Sequence, residues 1–209
     1  VNEQDDGSRT TSLEAQRPVT NLVAMEWAKQ GAGIGSTGGN ETSQVCWGNT
    51  LGVVTLVDWK NPRNECILCA APPKGGRRSC TSVSWNAHAT DRVAAGFDLL
   101  KSEHCVSIWD MNSAELLQTG TVGLKPSLRL CFEEATSSLS WLPDNPHMLA
   151  VGTSMGWMRV FDTRQGDKAA VEMSLMAHPG ARNRKVRGIR PDPFHPHLLG
   201  TFSDSAQES

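Results

Sequence analysis

Three aspartates set the frame for this chain. Asp58, Asp110 and Asp162 stand 52 residues apart in both intervals, and each closes a short alternating apolar run. Those runs are Gly52–Asp58, Cys105–Asp110 (CVSIWD) and Trp157–Asp162 (WMRVFD). Each is preceded by a second short run, Val45–Gly48, Arg92–Gly96 and Met148–Gly152. A third run ahead of that ends in tryptophan, at Trp27, Trp85 and Trp141. The tryptophans are 58 and 56 residues apart, so insertions fall in the turns while the period survives. Runs of four to seven residues with period-two alternation and turn residues between them read as β-strands, not helices. A unit of this size cannot bury its own faces. Repetition at about 50 residues therefore predicts four-stranded sheets stacked radially, and the Trp109-Asp110 ending is a WD-repeat signature.

The expected architecture is an all-β, WD-type β-propeller seen in part, about three and a half blades of four-stranded antiparallel sheet. Residues 1–17 read as a flexible tail or the remnant of a preceding blade. Blades are expected at 18–78, 79–121 and 135–177, with a truncated one at 178–209. In the second blade the outermost strand is placed at Leu116–Thr119, leaving 121–135 as an irregular insert. Pro196–Phe202 is placed as the second strand of the last blade. Lys29–Ser43, with its GAGIGSTGGN run, reads as a flexible insert. Three and a half blades cannot close a ring of about six or seven. The segment is therefore expected to derive from a longer chain and to be marginal alone.

Composition narrows the function classes. A formal net charge of −2 argues against wholesale nucleic-acid binding. No apolar run approaches the roughly 18 residues of a membrane helix, and the first residues lack the apolar centre of a signal peptide. The six cysteines, Cys46, Cys66, Cys69, Cys80, Cys105 and Cys131, fall mostly in or beside strands, as free thiols do in a reducing compartment.

Catalytic and metal chemistry find little support. Cys66-x-x-Cys69 has zinc-ligand spacing, but no second pair accompanies it, and strict strand alternation sends residues i and i+3 to opposite faces. The histidines His88, His104, His147, His178, His195 and His197 lie in or beside turns without a partnered nucleophile. The three repeat aspartates suit turn-pinning better than chemistry, since paired catalytic carboxylates lie within about 5–9.5 Å. The Gly31–Gly39 run lacks the Gly-Lys-Ser/Thr ending of a phosphate loop. No catalytic residue, cofactor, metal or small-molecule substrate is expected. The candidate partner-binding residues are basic and lie on the links into blades: Lys74, Arg77 and Arg78, then Arg182, Arg184, Lys185 and Arg187, with Arg190 nearby. Such clusters are ordinary solvated loops or contacts for acidic protein surfaces and phosphorylated segments. Without interleaved aromatics they do not suit nucleic acid.

The order of motifs, SVSWNAHATDRVAAGFDL with VSIWDM, then SSLSWLPDNPHMLAVGTSMGWMRVFDTR, then VRGIRPDPFHPHLLGTFSDS, resembles the N-terminal propeller of the WD-repeat Mio (missing oocyte) family. The resemblance runs from about Val19 to Ser203 and is strongest after Arg78. It implies a non-enzymatic scaffold subunit of the GATOR assembly, with other subunits as partners. It also implies a role in relaying amino-acid sufficiency to the TOR kinase complex, from the cytoplasm at the lysosomal surface. A different reading of the same fold is a substrate-recruiting propeller of a ubiquitin ligase or other complex, capturing acidic or phosphorylated peptides.

Overall fold

The computed structural model describes residues 21–27, 44–58, 65–69, 78–88, 91–111, 123–168, 171–177 and 184–204. They form three four-stranded antiparallel sheets and one of two strands. The first sheet is β1 (Leu22–Trp27), β2 (Gln44–Asn49), β3 (Val54–Asp58) and β4 (Glu65–Cys69). The second is β5 (Cys80–Trp85), β6 (Arg92–Phe97), β7 (His104–Asp110) and β8 (Leu128–Phe132). The third is β9 (Thr136–Trp141), β10 (Met148–Thr153), β11 (Trp157–Asp162) and β12 (Val171–Met176). The last pairs β13 (Val186–Pro191) with β14 (Leu199–Ser203). Within every sheet the strands lie in chain order.

Two expectations change. The outer strand of the second sheet is β8, inside the stretch expected to be an irregular insert. Leu128 and Leu130 alternate with exposed Arg129, the period of a half-buried strand, and β8 pairs with β7. Leu116–Thr119 lies outside the described residues, as do 1–17 and the Lys29–Ser43 insert. In the last sheet the second strand starts at Leu199; Pro196–Leu198 belongs to the turn before it.

The stacking follows from side-chain alternation. Trp85 faces Val93 and Val83 faces Ala95 across β5 and β6, and all four pack against Cys46, Val54 and Leu56 of the first sheet. The other face of the same sheet offers Ala94, Val106 and Ile108 to Leu139, Trp141 and Leu149 of the third. The third sheet meets the last through Ala150, Met158, Val160, Val186 and Ile189. The first strands β5 and β9 thus turn their tryptophan faces back onto the preceding sheet. The second strand receives the sheet that follows, and it does so at a glycine. A Cβ on Gly48 would lie 2.6 Å from Cys80 Cβ; one on Gly152 would lie 2.8 Å from Val186 Cβ. One on Gly96 would lie 2.5 Å from Thr136 Cγ2. Only a residue without Cβ lets the sheets approach this closely.

Polar contacts fix the direction of the stack. Thr81 Oγ1 donates to Thr136 O at 2.7 Å, and the equivalent Ser137 Oγ donates to Val186 O at 2.8 Å, so the first strands start together. Trp141 Nε1 donates to Ser84 O at 3.2 Å, and Trp85 N donates to Glu26 Oε2 at 2.8 Å, so they end together. The molecule therefore has a strand-start face and a strand-end face. Turns on the strand-end face share one device, a side-chain oxygen accepting backbone N–H groups two or three residues on. Asn86 takes His88 N, Asn145 takes His147 N, and Asp192 takes Phe194 N and His195 N.

Candidate protein-binding cleft

The residue before each repeat tryptophan has a particular place. Register pairs Glu26 with Cys46, Ser84 with Ala94, Ser140 with Ala150, and Arg190 with Gly200. These four are equivalent positions one step from the end of each first strand. They line one cleft of about 320 Å³ on the strand-end face, with Trp85, Trp141 and Leu142. Pro143, Pro191, Pro193 and Pro196 complete much of its wall. All four sheets contribute. In the middle two sheets the equivalent residue is a buried serine; in the outer two it is an acid and a base.

The charges in the cleft are unequally engaged. The Glu26 carboxylate accepts the Trp85 amide. The Asp192 carboxylate accepts the amides of Phe194 and His195, which hold its acid below the usual carboxylate range, and its Oδ1 lies 3.5 Å from His195 Nδ1. Arg190 is exposed, and neither ion pairs nor side-chain hydrogen bonds engage its guanidinium among the described residues. Proline walls carry no N–H, so they offer shape and apolar surface without donors. This set escaped the sequence reading because each residue is ordinary alone. The signal that finds it is the repeat frame itself, read one position before the tryptophan: Glu, Ser, Ser, Arg.

The basic residues singled out from the sequence do not form one surface. Lys74, Arg77 and Arg182 lie outside the described residues. Arg78 is a brace: its Nη1 donates to His104 O at 2.6 Å, and its guanidinium sits 4.4 Å above the Phe97 ring. Arg187 pairs with Asp204 at 2.5 Å. Half-buried Arg184 and exposed Lys185 precede β13 on the strand-start face, while Arg190 is at the other end. Five residues of extended chain put roughly 17 Å between Lys185 and Arg190 along the strand.

The remaining candidates take structural positions. Asp162, almost fully buried, accepts Arg164 N at 3.0 Å and is gripped by the Arg164 guanidinium, which holds its carboxyl down at about 2. That is the turn-pinning arrangement expected for a repeat aspartate. All six cysteines are free thiols. Burial pushes Cys80 and Cys131 up to about 12. Cys66 and Cys69, expected on opposite faces, both pack against the core between the first two sheets; the register shift between Val54 and Thr55 breaks the strict alternation. Among the described residues no three His, Cys, Asp or Glu side chains are grouped as a metal site requires.

Comparison with known proteins fits this architecture. No protein-family model matches the chain. GATOR2 complex protein MIOS of Dictyostelium discoideum is 26% identical over 210 residues, covering 80% of this chain and 18% of that protein. MIOS-A of Xenopus laevis is 27% identical over 142 residues, 60% of this chain and 15% of the relative. An uncharacterised WD repeat-containing protein of Schizosaccharomyces pombe is 24% identical over 163 residues, 75% of this chain and 15% of the relative. The chain thus spans less than a fifth of the length of these relatives. Among solved structures, an outer-coat vertex chain of COPII on membranes superposes with a TM-score of 0.59 at 14% identity, covering 87% of this chain and 43% of that one. A chain of the assembled COPII coat does so equally well, covering 24% of its own length. These two likenesses speak to fold alone. The resemblance to the Mio family read from the repeats is matched by these relatives, and the fold is that of a WD-type β-propeller.

Proposed function

We propose that this chain is a non-enzymatic scaffold segment, part of a Mio-like subunit of the GATOR2 complex that relays amino-acid sufficiency to the TOR kinase complex at the lysosomal surface. The observation that carries this reading is the 26% identity across four fifths of the chain with a protein named for that complex. The WD-type architecture supports it physically. Stacked sheets form a rigid body, and the turns at their two ends are held for contact with other proteins. Half-buried Arg184 and exposed Lys185, on the strand-start side before β13, are the contacts assigned to an acidic neighbouring subunit; Lys74, Arg77 and Arg182, outside the described residues, remain candidates for the same partner.

The test is an affinity pull-down with the full-length protein that contains this chain, read by mass spectrometry. Recovery of the other GATOR2 subunits in near-equal amounts is the expected result, weakened by the double change Arg184→Glu and Lys185→Glu. Recovery of ubiquitin-ligase adaptors instead, or of no stable partner, overturns the assignment.

A further inference from the structure

The geometry points to a second recognition site, on the face opposite Arg184 and Lys185: the cleft at the ends of the first strands binds an extended peptide segment through an acidic side chain, with Arg190 as its anchor. The inference does not depend on which complex the chain serves. Three features carry it. The cleft is a meeting point of all four sheets, so its walls are held by the same stack that makes the core. Its volume, about 320 Å³, lies at the small end for ligand pockets and suits one or two side chains better than a cofactor. Its acids, Glu26 and Asp192, already accept backbone amides, whereas the Arg190 guanidinium retains its donors for an incoming anion.

The occupant follows from these groups. A carboxylate or phosphate matches the planar fork of arginine and forms charge-assisted hydrogen bonds. Apolar flanking residues match Leu142 and the prolines. A basic peptide is disfavoured by Arg190, and nucleic acid by the small volume. Fixed walls lower the ordering cost that a flexible loop would pay on binding. The link cations Arg184 and Lys185 are too far along β13 to share this ligand.

The experiment measures binding of the purified full-length protein to an array of acidic peptides, each also made with phosphoserine in place of the acid and with Asn or Gln in place of it. The expected result is binding of acidic or phosphorylated members and loss with the amide versions. Arg190→Glu and Arg190→Gln each weaken binding about ten- to a hundredfold, the scale of one charge-assisted hydrogen bond. Arg190→Lys restores part of it, and Lys101→Glu, an exposed change on the strand-start side, leaves it intact. Thermal melting of each variant checks folding; because Arg190 is exposed, all are expected to melt with the parent. Binding by both acids and phosphoserine identifies a carboxylate-reading site, and binding by phosphoserine alone a phosphorylated partner; either supports the inference. Equal binding by the Arg190 variants overturns it. So does loss that follows Arg184→Glu and Lys185→Glu instead, or the absence of any peptide binding tighter than about 1 mM.

Discussion

The first strands β1, β5 and β9 share a pattern but not an environment. Trp85 and Trp141 are 2% and 6% exposed, while Trp27 at the equivalent place is 47% exposed. Met25 is 49% exposed where Val83 and Leu139 are nearly buried. The difference does not lie in the strands themselves, since all three pair with a second strand in the same register. It lies in what precedes them. The second and third sheets have a sheet on their tryptophan face. Among the described residues β1 has none, although Val45, Trp47 and Val57 on the same side of β2 and β3 are buried. The repeat motif specifies a strand, and the neighbouring repeat supplies its core.

The far end of the stack differs in another way. Gly48, Gly96 and Gly152 each receive the following sheet, but the register-equivalent residue in β14 is Phe202, opposite Gly188. Its ring covers Gly188 and is largely exposed. The glycine has moved to the first strand and an aromatic has taken the seam position. The surface that accepts a neighbour in the first three sheets is therefore built differently in the fourth.

The effect of the preceding sheet is largest at the tryptophans. Trp141→Ala removes a buried ring and its bond to Ser84 O, and a loss of about 3–5 kcal/mol in urea unfolding is expected. Trp27→Ala should cost less than about 1 kcal/mol. Similar losses at both positions would mean that β1 is covered as β9 is.

The glycines give a smaller and sharper contrast. Gly152→Ala drives a methyl into Val186 Cβ, so a loss of about 1–3 kcal/mol is expected. Gly188→Ala meets the Phe202 ring at an even shorter 2.1 Å, yet that ring is exposed and can swing away. Its cost should stay within about 1 kcal/mol. Gly200→Ala, with nothing nearer than 3.6 Å, should be close to neutral. Equal costs at Gly152 and Gly188 would show that the clash distance alone decides, and not the fixity of the neighbour.

The thiols separate the buried seam from the rim in a further way. Burial raises the pKa of Cys46 and Cys80, both enclosed between the first two sheets, and that of the half-exposed Cys66. Thiolate is the reactive form, so at pH 8 iodoacetamide should label Cys66 well before Cys46 or Cys80. Labelling of all three at one rate would place the seam open to solvent.

The smallest expected effect is acid sensitivity at the strand-end face. The folded carboxyl of Asp162 lies at about 2, below its ordinary 3.8, held by Arg164. Its contribution is therefore present above pH 4 and lost as pH falls toward 2. Asp162→Asn should flatten the stability profile in that window and leave its shape near neutrality unchanged. An unaltered slope between pH 4 and 2 would show that the pair contributes nothing.

Much of this fold was legible because the repeat carries its own ruler. The 52-residue aspartate spacing and the strand-ending tryptophans located β5 to β7 and β9 to β11 closely. The outer strand β8 was harder. Its alternation spans only Leu128 to Leu130, and positive φ at Cys131 and Glu133 ends it abruptly. The basic run at 182–190 looked like one cluster because sequence proximity hides strand direction. A six-residue strand sends its two ends to opposite faces of the molecule. The cleft was unreadable one residue at a time. Glu26, Ser84, Ser140 and Arg190 are brought together by register and stacking, which no single repeat contains.

A repeat's first strand is buried by the sheet before it. Hydroxyl-radical footprinting of the 209-residue chain, with oxidation read at each tryptophan by mass spectrometry, tests it most directly. Rapid oxidation of Trp27 and strong protection of Trp85 and Trp141 are expected. Equal rates at the three residues would contradict that burial.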